Sequence, residues 1–234
     1  MSTNLFKYKQ FKSEIILLSV RWYLKYPLSY RNLLEMLSER GVFVNYTTIM
    51  RWVHEYAPII DEKVRPYLRK CNDSWRVDET YIKVKGVWSY LYRAVDSGGK
   101  TIDFYLSKTR DRKSAKKFFE KAMKSLHSTS PRVITVDKNQ AYKSAFPELI
   151  NENVLDKRTK LRQVKYLNNI VEQDHRFIKK KVKYMLGFKS FNSAVKTIAG
   201  VEAMNMLRKG QVDFKYQSVL NEFQFVSKIM GVAK

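Results

Sequence analysis

The chain has 234 residues, with 45 Lys and Arg against 22 Asp and Glu and a formal net charge of +23. A hydrophobic fraction of 44% and an aromatic fraction of 14% exclude a disordered chain and allow one large or two modest domains. A field this positive attracts polyanions, so nucleic acid is the first expected partner and an anionic membrane surface the second.

The cysteine content indicates a reducing compartment. Cys71 is the single cysteine, which excludes a disulfide framework, and no cluster of Cys and His offers a zinc site. We therefore expect a cytoplasmic protein. The apolar run at 15–18 is not a signal peptide, because only six uncharged residues separate Glu14 from Arg21, too few for an export core or a membrane span. The spacing around this run predicts an amphipathic helix.

The next two helices form a candidate helix-turn-helix. Residues 29–39 have apolar side chains on one helical face, and Gly41 can take the left-handed turn past their end. A second helix begins near Asn45, a competent N-cap. A plain helical subdomain has the same pattern, but the charge of the chain favours DNA binding. The residues expected at the outward front of the second helix, where bases and phosphates are contacted, are Asn45, Tyr46, Thr47, Thr48, Met50 and Arg51.

After residue 74 the apolar period changes from helical spacing to alternation. Strands are predicted at 75–84, 88–95 and 101–106, joined by short turns into an antiparallel meander. The elements that follow are a helix capped by Asp111, a buried strand at 132–136, a helix at 141–150, a weak strand at 162–166 and a helix at 166–181. This order predicts a ribonuclease-H-like α/β fold, a mixed sheet flanked by helices, preceded by a small all-α domain.

The predicted organisation follows from these elements and from Pro58 and Pro66, which interrupt the helical pattern. It consists of a helix-turn-helix domain at 1–60, a linker at 61–72, the α/β domain at 73–211 and a C-terminal helical tail at 212–234. Packing of this apolar-rich tail on the α/β domain and a role in dimerisation are equally open.

Three acids from distant positions converge in this layout. Asp78 lies in the first strand, Asp137 ends the fourth strand beside it, and Glu172 comes from a helix packed across the same edge. Carboxylates without His or Cys are hard ligands that suit Mg²⁺ or Mn²⁺. Two such ions about 3.5–4 Å apart can activate an attacking oxygen and stabilise the leaving one in phosphodiester transfer.

Each acid also has a structural interpretation, because Asp137 can cap a turn and Asp78 can be a solvated strand residue. Glu79 is expected to point to the opposite face from Asp78, and Asp174 lies about 200° around the helix from Glu172. Periodicity does not exclude the rival ligands, which are Glu79, Asp96, Asp103, Asp174 and Glu202. The three histidines, His54, His127 and His175, are expected at the surface and not as catalysts.

The helix at 166–181 also carries a basic ridge. Glu172 is followed on a neighbouring face by His175, Arg176, Lys179 and Lys183. One acid at the head of basic groups suits a metal ion beside a polyanion. An ordinary amphipathic helix with a solvated polar face is the alternative.

The spacing of the acids and several short phrases resemble a known family. A gap of 34 residues separates Asp137 from Glu172, and Lys179 follows seven residues later, as in the DDE transposases and retroviral-type integrases. One group of bacterial transposases, insertion sequence family six, resembles the chain over nearly its whole length. The phrases that carry this resemblance are VRWY at 20–23, YPLSYR at 26–31, WRVDETY at 75–81, YLNN at 166–169 and LRKGQ at 207–211.

The resemblance implies a Mg²⁺-dependent transposase, with Mn²⁺ as a substitute and two ions in the site. It implies binding of double-stranded DNA at the terminal inverted repeats, cleavage of one strand at each end, and joining of the freed 3′-OH to target DNA in replicative, cointegrate-type transposition. It also implies a homodimer or higher assembly on DNA, no membrane, and a bacterial, nucleoid-associated location.

The resemblance assigns roles to individual residues as well. Asp78, Asp137 and Glu172 are implied to be the catalytic metal ligands, and Lys179 the phosphate-contacting base after the Glu. Arg176 and Lys183 extend the DNA-binding ridge, and the helix-turn-helix becomes the end-recognition module. Two alternatives stay open: a nuclease of the same fold that cuts without joining, and a helix-turn-helix regulator whose carboxylates are structural. A membrane-surface role is the weakest, because the basic groups are spread through both modules.

Overall fold

The computed structural model describes residues 5–137, 139–164, 169–185, 187–213 and 218–232. The chain forms two compact units. A helical unit consists of Met1–Leu68 and Lys180–Lys234, and an α/β unit consists of Arg69–Lys179. Within the described residues, no helix is both long and apolar enough to cross a membrane.

Helices occupy both ends of the chain, and strands alternate with helices between them. In chain order the elements are α1 (Ser13–Lys25), α2 (Tyr30–Ser38), α3 (Tyr46–Val64), a 3₁₀ turn (Arg65–Tyr67), β1 (Ser74–Val84), β2 (Val87–Asp96), β3 (Thr101–Ser107), α4 (Arg112–Lys124), β4 (Val133–Val136), α5 (Gln140–Asn151), β5 (Lys160–Gln163), α6 (Asn169–Tyr184), α7 (Phe191–Arg208) and α8 (Val219–Ile229). The start that the sequence predicted for α6 lies outside the described residues.

Local hydrogen bonds fix the boundaries of α2 and α3, and Gly41 and Asn45 take the positions that the sequence predicted. Ser29 and Asn32 form a reciprocal capping box at the start of α2, and Gly41 takes a left-handed φ of +71° after its end. At the start of α3, Asn45 Oδ1 accepts a hydrogen bond from the Thr47 backbone N–H at 2.9 Å. These contacts satisfy backbone donors that a helix start would otherwise leave exposed, so they fix both helix boundaries.

The predicted linker at 61–72 is wrong over its first part. Helix α3 continues through Pro58 to Val64, and the 3₁₀ turn follows directly. Pro58 removes one helical hydrogen bond, but Ile60 and Val64 beyond it are fully buried. Burial of these two side chains offsets the local penalty of proline. This burial involves distant segments, so the local sequence pattern does not reveal it.

Helix α7 belongs to the helical unit, although the predicted α/β domain at 73–211 includes it. A Cβ on Gly200 would lie 2.6 Å from Leu24 Cδ1 and 2.7 Å from Ala57 Cβ, so α7 approaches α1 and α3 very closely. Most positions of α7 from Ala194 to Leu207 are buried. A helix that is apolar around most of its circumference must be surrounded, but periodicity does not say by which partner.

The C-terminal tail packs within the helical unit through α8. Glu222, which is buried, pairs with Arg21 at 3.7 Å and also with Lys25. The rings of Tyr67 and Phe225 meet edge to face at 5.2 Å. The tail segment therefore packs against α1 and the 3₁₀ turn that follows α3.

The α/β unit is built on a five-stranded mixed sheet with the strand order β3-β2-β1-β4-β5. The first three strands are antiparallel, and β4 and β5 run parallel to β1. This order, with α4 between β3 and β4 and α5 after β4, confirms the predicted ribonuclease-H-like architecture. One face of the sheet and the two helices share a core that includes Trp75, Val77, Tyr92, Phe118, Phe119, Ile134, Val136, Tyr142 and Leu149.

Candidate active site

The site lies where β1 and β4 separate. The two strands pair only from Ser74 to Arg76 of β1, so the edge of β1 beyond Arg76 is open toward the end of β4. Asp78, Glu79 and Asp137 meet in this gap, and each supplies an oxygen that lies within 4.8 Å of those of the other two. The carboxyl ends of parallel strands are the usual position of sites in α/β sheets.

Asp137 is placed by the turn from β4 into α5. It directly follows the fully apolar run of β4, and its Oδ1 accepts the Asn139 backbone N–H at 2.9 Å. Asn139 in turn caps α5 by accepting the Ala141 N–H at 3.0 Å. The turn-capping role and the site role of Asp137 therefore coexist, because Oδ2 remains directed at other partners.

Glu79 was expected to point to the opposite face of the strand from Asp78, yet oxygens of the two carboxylates lie within 4.8 Å of each other. Glu79 follows Trp75 and Val77 on the core face, yet its carboxylate reaches the gap and accepts a hydrogen bond from Asn139 Nδ2 at 3.1 Å. Its side chain is long enough to reach the open edge of β1. Burial raises the pKa of Glu79, while hydrogen bonds from Arg110 oppose that shift.

Arg110, from the loop before α4, lies among these acids. Its Nε and Nη2 each donate to Glu79 at 3.3 Å, and Nη2 also donates to Asp137 Oδ2 at 3.2 Å. One guanidinium opposes three carboxylates, so the cluster keeps an excess of negative charge when all three are ionised. Hard oxygen donors with excess negative charge fit a divalent cation such as Mg²⁺ or Mn²⁺.

Asp78 is held from the other side by a buried network on α6 and β2. His175 Nε2 lies 3.2 Å from Asp78 Oδ2, and His175 Nδ1 lies 3.4 Å from Arg93 Nη1. Arg93 pairs at its other end with Asp174 at 2.6 Å. Because guanidinium can only donate, Nδ1 accepts, and Nε2 carries the proton that it donates to Asp78.

The predicted surface position of the histidines is wrong for two of them. His175 is 3% exposed and His127 is 1% exposed. His175 is buried because a partner from β2, Arg93, and one from β1, Asp78, satisfy both ring nitrogens. His127 is buried in the loop before β4 with Nε2 at 3.2 Å from the Thr101 carbonyl oxygen.

Glu172 lies one helical turn before His175 and is exposed. Side chains three residues apart on a helix have Cβ atoms about 5–6 Å apart, so Glu172 neighbours the histidine that contacts Asp78. Among the described residues, the acids whose oxygens come together are Asp78, Glu79 and Asp137. The structure thus brings two of the three predicted ligands together and leaves Glu172 outside that set.

The rival acids have structural partners. Asp96 Oδ1 accepts the N–H groups of Gly98 and Lys100, both at 2.9 Å, and so shapes the turn after β2. Asp103 pairs with Lys121 at 3.1 Å. Asp174 pairs with Arg93, and Glu202 is buried on α7 in the helical unit.

The predicted DNA-contacting residues lie at the surface in both units. On α6, Arg176, Lys179 and Lys183 are exposed. At the start of α3, Asn45, Tyr46 and Arg51 are exposed and Thr47, Thr48 and Met50 are partly exposed. Asn45 Oδ1 is already used in capping the helix, so its amide nitrogen is the group left for DNA.

From the sequence, Glu79 was only a rival ligand and His175 a member of the basic ridge, and nothing pointed to Arg110 or Arg93 as parts of the site. The signal for Glu79 was its position on the core face after Trp75 and Val77, where an acid needs a specific partner. Arg93 gave a similar signal, since a fully buried arginine in an apolar strand requires an acid. Arg110 lies in a loop without periodicity, and no pattern identified it.

The chain is similar in sequence to known transposases. A family described as a DDE domain matches residues 72–211. The transposase for insertion sequence-like element IS431mec of Staphylococcus aureus is 43% identical over 207 residues, 88% of this chain and 89% of the relative. The transposase for insertion sequence element IS257 in transposon Tn4003, also of Staphylococcus aureus, is 42% identical over the same share of each chain.

Among solved structures, the dimeric form of the HTLV-2 integrase catalytic core domain in complex with magnesium matches with a TM-score of 0.45 and 20% identity, over 62% of this chain and 97% of that one. The catalytic core domain of BIV integrase matches with a TM-score of 0.44 and 12% identity, over 67% and 96%. The sequence matches alone, nearly full-length at over 40% identity, decide the family. The chain belongs to the DDE transposases of insertion sequence family six, polynucleotidyl transferases that use a divalent metal.

Proposed function

We propose that this transposase binds the terminal inverted repeats of its element as double-stranded DNA, cleaves one strand at each end and joins the freed 3′-OH to target DNA. The product of this replicative route is a cointegrate. The observation that carries the proposal is the meeting of Asp78 and Asp137 at one open sheet edge, with excess negative charge, in a chain of net charge +23. Carboxylates and DNA phosphates repel each other, so this acidic cluster can lie beside a DNA backbone only if a cation bridges the two.

The carboxylates of Asp78 and Asp137 would hold Mg²⁺, or Mn²⁺ in its place, and Glu172 would complete the ligand set from α6. We propose two ions, since both the attacking and the leaving oxygen carry developing charge. When bound, such ions lower the pKa of an attacking hydroxyl and neutralise charge on the phosphate. Glu172 can take this role only if its exposed side chain turns toward Asp78. His175, one helical turn further along α6, already contacts Asp78.

The residues of the chain bind, orient and stabilise, and none forms a covalent intermediate. In the first step the oxygen of water attacks phosphorus, and the bond to the 3′ oxygen breaks, leaving a free 3′-OH. In the second step that 3′-OH attacks a phosphorus of target DNA, and the displaced 3′ oxygen leaves with a proton. Arg176, Lys179 and Lys183 would hold backbone phosphates during both steps.

End recognition is assigned to the helix-turn-helix of residues 1–60. Asn45, Tyr46, Thr47, Thr48 and Arg51 lie at the front of α3, where this motif contacts base edges and phosphates. Two ends must be processed together, so we propose a homodimer or a larger assembly on DNA. The reaction would take place in the bacterial cytoplasm, at the nucleoid, where the element and its targets lie.

The test is a joining assay on a duplex that contains the element end, with Mg²⁺ and the full-length protein. Asp137→Asn removes one ligand charge and is expected to lower joining by at least about 10³-fold while binding of the end persists. The matched control is Asp73→Asn, a partly exposed acid just before β1 that pairs with Arg132. Cleaved products without joined products would favour the nuclease alternative, and joining that survives Asp137→Asn would exclude the proposed site.

A further inference from the structure

The β1–β2 ribbon extends an uncovered aromatic face beyond the core. Across the two strands Glu79 faces Tyr92, Tyr81 faces Tyr90, and Lys83 faces Trp88. Side chains at these alternate positions share one face of the sheet. Tyr92 is the last of them to be covered, with its ring 5.8 Å from that of Phe118 on α4.

Past Tyr92 the same face opens to solvent, with Tyr90 still partly buried against the core. Tyr81 is 50% exposed and Trp88 is 56% exposed. We call Tyr81, Lys83, Trp88 and Tyr90 the aromatic strip. Large aromatic side chains that are exposed together on a regular sheet usually mark a binding surface.

The side chains of the aromatic strip contact one another. Tyr81 lies 6.2 Å from Trp88 in an edge-to-face arrangement and 5.4 Å from Tyr90 at 58°. The Nζ of Lys83 lies 5.5 Å from the centre of the Trp88 ring. Because paired strands carry these side chains, the backbone beneath them is already ordered before a ligand binds.

The charge around the aromatic strip indicates an anionic ligand. No Asp or Glu occurs from Thr80 to Val95, whereas Lys83 and Lys85 are exposed there. A second copy of this chain would bring an equal +23 and the same lysines to a symmetric contact, which is electrostatically unfavourable. Aromatic rings interleaved with basic side chains are the combination that binds unpaired nucleic acid bases by stacking.

The aromatic strip also begins at the acidic site. Glu79, two residues before Tyr81 on the same face, is part of the carboxylate cluster. Two strand residues span about 6.8 Å, and stacked nucleotides repeat at about 3.4 Å. Tyr81 and Trp88 thus lie about two to four nucleotides from the acids.

We propose that the aromatic strip binds unpaired bases of the DNA strand beside the phosphate that is cut. This inference rests on the proposed function for the identity of the strand. It gives the ribbon a role in holding the DNA end open, distinct from the phosphate contacts of α6.

The test measures binding of full-length protein to fluorescent end duplexes in EDTA, so that no cleavage or joining occurs. One duplex is fully paired, and the other has unpaired bases next to the cleavage position. Trp88→Ala and Tyr81→Ala are each expected to weaken binding of the unpaired duplex by about 5- to 100-fold. Binding of the paired duplex is expected to change by less than about 2-fold, and Trp88→Phe should retain most of the affinity for unpaired bases.

The matched control is Leu126→Ser, which changes a side chain that is 68% exposed in the same unit, and it should affect neither duplex. Equal affinities of wild type and Trp88→Ala for the unpaired duplex would overturn the inference. A dimer in the absence of DNA that dissociates in Trp88→Ala, measured by analytical ultracentrifugation, would also overturn it and assign the strip to protein contacts.

The joining assay separates this inference from the proposed function. If wild-type protein joins DNA ends but the aromatic variants bind unpaired DNA normally, the inference fails alone. If wild-type protein does not join ends, the proposed function fails whatever the aromatic variants do.

Discussion

Arg110 lies beside Asp137, where a metal ion bound to that carboxylate would also lie. Its guanidinium donates to the buried Glu79 and, at 3.2 Å, to Asp137 Oδ2. The positive charge of Arg110 stabilises the ionised acids, yet the same charge repels a divalent cation at that position. A metal ion at the proposed site would therefore compete with Arg110 for Asp137, whereas the contact with Glu79 could persist when the metal binds.

We expect Arg110→Ala to tighten Mn²⁺ binding by about 2- to 10-fold, because the competing ion pair is partly exposed and so of modest strength. The measurement is the dissociation constant of Mn²⁺ from the free signal in electron paramagnetic resonance, without DNA.

Arg112→Ala is the matched control, since Arg112 pairs with Glu148 away from the acids, and it should leave the Mn²⁺ affinity unchanged. Weaker Mn²⁺ binding in Arg110→Ala would show that Arg110 orders the ligands and does not compete with the metal.

Lys181 is a buried lysine that hydrogen-bonds the backbone carbonyls of Tyr23 and Tyr26. Burial lowers the pKa of Lys181 to about 7, whereas a lysine in the unfolded chain has a pKa of about 10.4. Between about pH 7 and pH 10 the unfolded chain therefore holds a proton that the folded chain lacks.

The free energy of unfolding should rise with pH in this window, by at most about 1.4 kcal/mol per pH unit. Urea unfolding at about pH 7, 8 and 9 measures this slope. The pKa of Tyr23 is raised to about 12, so Tyr23 contributes only above this range. Lys181→Met should flatten the slope, and Lys183→Met, at an exposed position, should not. An unchanged slope in Lys181→Met would assign it to another group.

At the scale of elements, a buried polar network joins β1, β2 and α6 within the α/β unit. It runs from Asp174 through Arg93 and His175 to Asp78. The network fixes the carboxylate of Asp78 and the first turns of α6, on which Glu172 lies. Loss of a partner that orients a metal ligand typically lowers metal affinity by about 10- to 100-fold.

Loss of the His175 hydrogen bond is expected to weaken Mn²⁺ binding. His175→Ala should raise the dissociation constant by about 10-fold or more, while His175→Gln, which keeps an N–H donor, should recover most of it. Gln173→Ala changes an exposed neighbour on α6 and serves as the control. Equal loss in the alanine and glutamine variants would mean that His175 acts through packing alone, and thermal unfolding of each variant checks the fold.

Close packing of α7 on α1 and α3 depends on Gly200. A methyl group there would lie 2.6 Å from Leu24 Cδ1, which that side chain can relieve by turning, but also 2.7 Å from Ala57 Cβ and 3.0 Å from Ala57 Cα, which only movement of a helix can relieve. Gly200→Ala should therefore destabilise the protein by about 1–3 kcal/mol, although alanine is the better helix former. Urea unfolding measures the change, and Val195→Ala, at an exposed position of α7, should change it by less than about 0.5 kcal/mol. An unfolding free energy that rises in Gly200→Ala would contradict this packing.

The elements differ in how far local sequence could predict them. Alternation predicted the β1–β2–β3 meander, and an apolar run ending in an acid placed Asp137 at the end of β4, because both signals are local. The continuation of α3 past Pro58 and the partners of α7 depend on burial against distant segments. The burial of His175 depends on Arg93, 82 residues earlier in the chain. Such contacts leave no mark on periodicity.

At the scale of the whole molecule, the chain supplies the helical unit from both of its ends. Residues 1–68 and 180–234 form this unit, and the residues between them form the α/β unit. Apolar positions on α1 and α3, including Leu24 and Ala57, are covered by α7 from the other end of the sequence. The first 68 residues therefore lack part of the core that holds α3 in place.

This arrangement has a genetic consequence for the element. A gene copy interrupted before codon 191 would encode α1 to α3 without α7, leaving Leu24 and Ala57 uncovered. Such a shortened product would lack part of its core, so we expect α1 to α3 to be less stable in it than in the full chain.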